Sequence, residues 1–369
     1  MLLNSLGLAL KHPDSLTRLE RFASISATLA LLSSQELARM VDDAEPLGSG
    51  IGGSTLTLNI DGHPVFAKRV RLTDLERRPE HLMSTANLFG LPPHYQRNVG
   101  SAGFGVWREL AAHQMANSWV LSQQLDCFPL MFHWRVLDGA ASLHAQPPPA
   151  EWTDVKGMSA YWGSSAAVEQ RLTALADASA SVLIVMEQMP WTLTVWLNEQ
   201  LAAGPEALEA ACHMVENCLA TDIPRINALG LLHGDAHHGN MLTDGQRLYY
   251  ADLGLASSAR FALGADERQY LHDNASLDIA YVRSRWVNWL LKACCPALTE
   301  AAERHSLLKR IARGTAAQQL VPTLQPQIAS SIDRHARLAD LVNDFYGELH
   351  AHSRASPYPR DAIELQLSQ

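Results

Sequence analysis

Residues 231–256 read LLHGDAHHGNMLTDGQRLYYADLGLA, and they gather three His, three Asp and one Asn into 26 positions of a chain that is only 18% charged. Three readings compete. His233, His237 and His238 could be a metal cluster. His233-Gly234-Asp235 with Asn240, followed by Asp252-Leu253-Gly254, could be the catalytic loop and metal-binding turn of a phosphotransferase. The whole stretch could also be a polar turn leading into a short strand, LYYAD.

Phosphoryl transfer explains these residue types and this order. One carboxylate, Asp235, would orient an attacking hydroxyl and accept its proton. An amide, Asn240, and a second carboxylate, Asp252, would offer hard oxygen ligands to magnesium. The strand between them returns the chain so that the two ligands converge. The metal-cluster reading fits less well. HGDAHH superficially resembles the HxHxDH signature of metallo-β-lactamase-like hydrolases, but Asp235 stands where the second His belongs. His237 and His238 could still take zinc adventitiously.

Outward from this stretch, the bulk properties narrow the class. A length of 369 residues at 47% hydrophobic content suits two domains or one large two-lobed unit. A net charge of −9 argues against a nucleic-acid binder. The five cysteines, at 127, 212, 218, 294 and 295, include no CxxC pair and suit a reducing cytoplasm. No run of 18 apolar residues predicts a membrane span. The N-terminal apolar stretch lacks a preceding basic region and a cleavage site, so no signal peptide is expected.

Upstream, Gly48, Gly50 and Gly53 spell GxGxxG, but a strand follows where a dinucleotide-binding fold would place a helix. Leu56, Leu58 and Ile60 alternate, Asp61-Gly62 signals a hairpin, and VFAKRV returns as a second strand. A Gly-rich loop between antiparallel strands suits a flap over phosphates, because glycine lets backbone N–H groups come close. Lys68 follows Gly53 by 15 residues, on the strand where a Lys would grip α- and β-phosphate oxygens.

The remaining pattern predicts a helix over 1–44, capped by Asp14 or Ser15, with Leu16, Leu19, Phe22, Ile25, Leu29 and Leu32 on one apolar face. A helix is expected within 101–125, with Val106, Leu110, Met115 and Trp119 buried. Strands are expected at 127–137 and 181–189. A helix over 205–230 is expected to break or kink near Pro224. Residues 262–352 read as mainly helical, and the tail SPYPRDAIELQLSQ reads as a surface segment.

With these motifs together, the chain resembles the protein-kinase-like superfamily over roughly residues 45–290. HGDAHHGN is similar to the HGDxHxGN form of its aminoglycoside phosphotransferase and small-molecule-kinase branch. The resemblance implies an α+β, bilobal protein-kinase-like fold. Residues 1–44 would form a helical extension. Residues 45–189 would form a β-rich N-lobe with insertions at 72–100 and 138–178, ending in a hinge. Residues 190–369 would form a mainly helical C-lobe. ATP and Mg2+ are the implied cofactors. Gly48, Gly50 and Gly53 would cover the phosphates and Lys68 would grip them. In VMEQM, the Glu187 carbonyl and the Met189 N–H would meet the adenine, with Met186 behind it. Asp235 would be the catalytic base, Asn240 and Asp252 the metal ligands, and Asp278 a brace beneath the catalytic loop; its alternative is an ordinary Asp in a helix's first turn.

The chain departs from the family pattern in three places. The Glu partner of Lys68 is not obvious; Glu109 is favoured over Glu76 and Glu80, which lie in a charged and solvated stretch. Phe66 stands where a small residue usually meets the adenine. The segment after Asp252-Leu253-Gly254 lacks an APE-like peptide platform. The resulting expectation is an ATP-dependent phosphotransferase acting on a hydroxyl-bearing small molecule, with no nucleic-acid or membrane partner and a cytoplasmic location. The alternatives are an atypical protein Ser/Thr kinase and a nucleotide-binding pseudokinase scaffold.

Overall fold

The computed structural model describes residues 17–50, 53–139 and 154–368. Leu16, the expected caps Asp14 and Ser15, the tip of the Gly-rich loop at Ile51-Gly52 and the Pro147–Pro149 run lie outside the described residues. Within them the chain is a mixed α and β protein whose main sheet is antiparallel.

The N-terminal segment forms two helices where the periodicity predicts one. Helix α1 spans Arg18–Leu31 and α2 spans Ser34–Asp42. Each opens with a capping box, Thr17 with Glu20 and Ser33 with Glu36, which satisfies orphan N–H groups at each start and stabilises the break between them. Ile25 and Leu29 are buried as expected, whereas Leu19 is exposed.

Strands β1 (Glu45–Gly50), β2 (Gly53–Ile60), β3 (His63–Leu72), β4 (Met131–Asp138) and β5 (Ala180–Glu187) form one sheet in the order β1-β2-β3-β5-β4. Leu56, Leu58 and Ile60 are buried on alternate positions of β2. Asp61 and Gly62 both take positive φ, 52° and 84°, which gives the two-residue turn the right twist for the β2–β3 hairpin. Val65 and Ala67 join the core that contains Ile25, Leu29, Leu37 and Val41 from α1 and α2. Phe66 and Val70 pack instead with Trp107 and Leu110 of α3 (Val106–Leu121). This alternation sends Lys68 to the α3 side of the sheet.

The two expected insertions meet each other. Phe89, Leu91 and Tyr95 pack with Trp162, which follows α4 (Val155–Tyr161), and with Val168 of α5 (Ala166–Ala176). The tail joins this second core. Tyr358, and Ile363 in α13 (Arg360–Leu367), are buried there, so the tail is not the surface segment its composition suggests. Glu76 is likewise not solvated. It is buried and paired with Arg171 at 2.7 Å, which removes it as a partner for Lys68.

After β5 the chain becomes helical. Thr192, the second residue of β6 (Trp191–Thr192), caps α6 (Leu193–Ala203). Helix α7 (Pro205–Ala228) continues through Pro224, so of the expected break or kink the break does not occur; Ile223 and Ile226, fully buried on either side, help hold it in place. Helix α8 (Ala265–Asp273), α9 (Leu277–Cys294), α10 (Ala301–Ala312), α11 (Ala317–Leu320) and α12 (Pro326–Ala351) follow, with α9 packed against α7, α10 and α12. All five cysteines are free thiols. Among the described residues no helix is long and apolar enough to cross a membrane.

Candidate active site

Residues 231–258 fold into two small antiparallel pairings that bring the polar residues together. Strand β7 (Leu231–Leu232) pairs with β10 (Ser257–Ser258), and β8 (Met241–Thr243) pairs with β9 (Leu248–Tyr250) and β6. The N–H of Ala251 donates to the carbonyl of Asn240 at 2.9 Å. That bond closes the β8–β9 hairpin at the point where Asn240 enters and Asp252 leaves, so the two expected metal ligands become neighbours. Gly234 needs to be glycine. Its φ is +77°, and a Cβ there would lie 2.5 Å from the carbonyl oxygen of Leu255.

The backbone at His233 and Gly234 is held from beneath by Asp278, in the first turn of α9. Its Oδ2 accepts from the N–H of His233 at 2.6 Å and from Asn227 Nδ2 at 2.8 Å, and its Oδ1 accepts from the N–H of Gly234 at 2.9 Å. The brace reading of Asp278 therefore prevails over an ordinary first-turn Asp. His233 is buried, with Nε2 against the Ala251 carbonyl at 3.0 Å and Nδ1 accepting from the Asp235 N–H. His238 packs against the stacked rings of Trp286 and Trp289, and its pKa is depressed to about 3 by burial and by the nearby charge of Arg285. His233 and His238 thus act as packing and loop-holding residues, and the three histidines do not converge as a metal cluster.

Lys68 stands at the centre of the site. Its Nζ lies 2.7 Å from Glu109 Oε1 and 2.7 Å from Asp252 Oδ1. Glu109, in the first turn of α3, is therefore the partner that the sequence left uncertain. Burial opposes charge on Lys68, but the carboxylates of Asp252 and Glu109 outweigh it and hold the ammonium protonated. The two carboxylates respond differently. Burial raises the pKa of Glu109 more than Lys68 lowers it. At Asp252, Lys68 prevails over burial and the carboxyl is held at about 2. The side chain of Asp252 keeps 45% exposure, against 4% for Glu109, so Asp252 is the member of the triad open to solvent. Asp252 also sits in the left-handed region at φ 59°, a conformation that costs a non-glycine residue free energy and that the Lys68 contact helps hold.

Asp235 and Asn240 complete the group. Asn240 Nδ2 donates to Asp235 Oδ2 at 3.1 Å and to the Asp235 carbonyl at 3.0 Å. Burial, and then the charge of Asp252, push the Asp235 carboxyl up to about 7. Asn240 Oδ1 and Asp252 Oδ2 accept no hydrogen bond among the described residues. Each expected ligand therefore keeps one hard oxygen, which fits a magnesium ion. One other grouping, His305, Asp340 and Asp344, has the residue types for a metal, but the ammonium of Lys309 lies 3.2 Å from Asp340 and 2.9 Å from Asp344 and supplies the countercharge itself.

The nucleotide-binding candidates lie along the sheet. Gly48, Gly50 and Gly53 belong to the β1–β2 hairpin, with Gly50 paired to Gly53 and Thr55 opposite Lys68. Gly53 has a local reason to be glycine: at φ +124°, a Cβ would meet the Arg69 carbonyl oxygen at 2.3 Å. Glu187 ends β5, and Met189 lies two residues beyond, half-buried at the passage into the helical part. Phe66 pairs with Met186 across β3 and β5 on the Lys68 face.

Sequence reasoning missed Asn98. It arrives from the first insertion, its Oδ1 accepts from the Tyr346 hydroxyl at 2.6 Å, and its side chain is near enough to Asp235 to favour the carboxylate, although its buried Nδ2 completes no hydrogen bond. Nothing local marks it, because its neighbours come from two distant segments. No family model matches this chain, and comparison with curated proteins likewise finds no match.

Proposed function

We propose that this chain is an ATP-dependent phosphotransferase of protein-kinase-like, bilobal architecture, moving the γ-phosphoryl group of Mg-ATP to an acceptor hydroxyl. The observation that carries the reading is the Lys68 ammonium, 2.7 Å from both Glu109 and Asp252 in a site that also holds Asp235 and Asn240. A Lys on the third strand, tied to a helix Glu and set beside a metal-binding Asp, is the arrangement phosphoryl transfer needs to grip a triphosphate.

Lys68 would hold phosphate oxygens, and the β1–β2 hairpin would cover them. Glu187 and Met189 would present their backbone groups to the base. Magnesium, held by Asn240 and Asp252, would neutralise phosphate charge when bound. Asp235 would align the acceptor hydroxyl in line with the γ-phosphorus. As the acceptor oxygen forms its bond to phosphorus, the bond to the β–γ bridging oxygen breaks, ADP departs, and the hydroxyl proton passes to Asp235. Most of the rate would come from positioning and charge compensation.

A small acceptor is supported by what crowds the far side of Asp235. Gln96 Nε2 donates to the Ala256 carbonyl at 3.2 Å, Gly103 lies against the Gly254 carbonyl, and Asn98 reaches Asp235. Residues 96–103 thus pack against 254–256 and lie close to Asp235, which supports a small acceptor over an extended peptide. The test is transfer from Mg-ATP to a panel of hydroxylated small molecules, alongside intact-mass detection of self-phosphorylation. Asp235→Ala is expected to bind Mg-ATP and transfer nothing, and retained turnover in that variant would refute the assignment. Self-phosphorylation without small-molecule turnover would favour a protein acceptor.

A further inference from the structure

The guanidinium of Arg18, the first residue of α1, makes an unusual set of contacts. Its Nε lies 3.0 Å from Glu187 Oε1 and 2.8 Å from Glu187 Oε2, and its Nη2 lies 2.6 Å from Glu187 Oε2. Nη2 also donates to the Phe128 carbonyl, and Nη1 to the Asp126 carbonyl at 3.4 Å. The same guanidinium lies 5.3 Å from the ring centroid of Tyr249, in β9 of the hairpin that carries Asn240 and Asp252. One side chain therefore touches the end of β5, the loop before β4 and the metal-ligand hairpin.

Glu187 is bound on other sides as well. Its N–H donates to the Leu130 carbonyl at 2.8 Å, and its Oε2 accepts from the Leu130 N–H at 3.1 Å. Helix α1 is itself anchored along the sheet. The Thr28 hydroxyl donates to Asp61 Oδ2 at 2.6 Å in the β2–β3 turn, and Arg135 Nη1 donates to the Leu32 carbonyl at 3.1 Å. The Thr17–Glu20 capping box fixes the helix start at the position where Arg18 must project.

We infer that Arg18 is a positioning residue for the nucleotide: α1 acts as a strap whose guanidinium fork fixes Glu187, and with it the backbone groups of residues 187–189 that face the base. This rests on the phosphotransferase reading and gives the N-terminal extension a role in that site. An Arg–carboxylate fork constrains orientation as well as distance, which a lysine at the same place does not.

The experiment measures binding of the magnesium complex of the β,γ-imido analogue of ATP by calorimetry, together with amide hydrogen exchange. It compares wild type with Arg18→Ala, Arg18→Lys, Glu187→Gln and the Arg18→Ala/Glu187→Gln pair. Arg18→Ala is expected to weaken nucleotide binding about tenfold and Arg18→Lys by less. Glu187→Gln should resemble Arg18→Ala, and the double variant should lose little more than either single change. Without nucleotide, exchange should quicken at the amides within 126–131 and at 187–189 and stay unchanged at the Asp278 brace. If Arg18→Ala fails to fold, Arg18→Lys and Glu187→Gln carry the test. Unchanged exchange at 187–189 would overturn the strap, and faster exchange with unchanged affinity would overturn its role toward the nucleotide. Wild type that binds no analogue would sink the phosphotransferase reading itself, while the exchange data would still report on the strap.

Discussion

Replacing Asp278 by Asn tests whether the catalytic loop is held from α9. The carboxylate is almost fully buried and accepts three hydrogen bonds, from the N–H groups of His233 and Gly234 and from Asn227. Bonds to a charged acceptor contribute about 1.5–3 kcal/mol each. Asparagine keeps one acceptor oxygen and turns an NH2 group toward a backbone donor, so it loses one to two of these bonds. The expected destabilisation is about 2–4 kcal/mol, or a fall in melting temperature of about 3–5 °C for a chain of this size. A first-turn Asp that only complements a helix dipole would contribute about 0.3–1 kcal/mol, so the magnitude separates the two roles. Two of the bonds end within two residues of Asp235. A displacement there of even 1 Å is expected to cost transfer about a hundredfold, while affinity for Mg-ATP changes little. Urea unfolding and single-turnover kinetics, run well below the melting transition, read both effects. Stability within about 0.5 kcal/mol of wild type together with unchanged turnover would refute the brace.

Two further predictions concern protons. Asp235 is held up to about 7; on the phosphotransferase reading it would have to be ionised to accept a proton, so kcat/KM for Mg-ATP is expected to fall as pH drops below about 7, close to tenfold per pH unit. A profile flat from pH 5.5 to 8.5 would remove Asp235 from that role. Asp222, buried in α7 with one carboxylate oxygen lacking any hydrogen bond, is held up to about 6 by burial foremost, against an ordinary 3.8. The folded state thus binds its proton more tightly than the unfolded chain does. That contribution favours folding below pH 4 and is lost as pH rises through 6, leaving a cost of up to about 3 kcal/mol above it. Asp222→Asn should therefore raise the melting temperature at pH 8 and leave it nearly unchanged at pH 4; equal shifts at both would contradict the linkage.

Local patterns made parts of this molecule legible. Alternation at Leu56, Leu58 and Ile60 and the Asp61-Gly62 turn located the β2–β3 hairpin because each side chain's direction follows from its immediate neighbours. The spacing of Asp235, Asn240 and Asp252 located a convergence that a single hairpin then produces. The break at Leu32-Ser33 was also written locally, as the Ser33…Glu36 capping box, but an apolar periodicity running across it hid the signal. Other features depend on distant partners. Glu76 is buried because Arg171, 95 residues on, meets it. The tail is buried because both insertions build a surface for Tyr358 and Ile363. Lys68 found Glu109 across 41 residues only once α3 was packed on the sheet. The contacts of Asn98 and Arg18 likewise arise from tertiary packing, about which periodicity carries no information.

On the phosphotransferase reading, the Lys68 triad would also constrain how nucleotide enters. Two of the three ammonium N–H donors are aimed at carboxylates, so a phosphate would take the third donor or, for a firmer grip, displace one carboxylate. Glu109 is buried and would be stranded, whereas Asp252 is open to solvent and has an oxygen available to a cation. On that reading, binding would be an exchange in which Lys68 turns from Asp252 to phosphate, leaving the Asp252 carboxylate to hold a magnesium ion. Without magnesium, the freed carboxylate would stand beside the triphosphate and repel it. Wild type is therefore expected to bind ATP at least about tenfold more weakly in the presence of a chelator than with magnesium. Asp252→Asn removes both the repulsion and the cation's anchor, so it should bind magnesium-free ATP better than wild type does and gain little from added magnesium. Calorimetric titrations of both proteins with and without the ion decide the matter. If Asp252→Asn binds magnesium-free ATP no better than wild type, the two carboxylates do not divide their roles in this way.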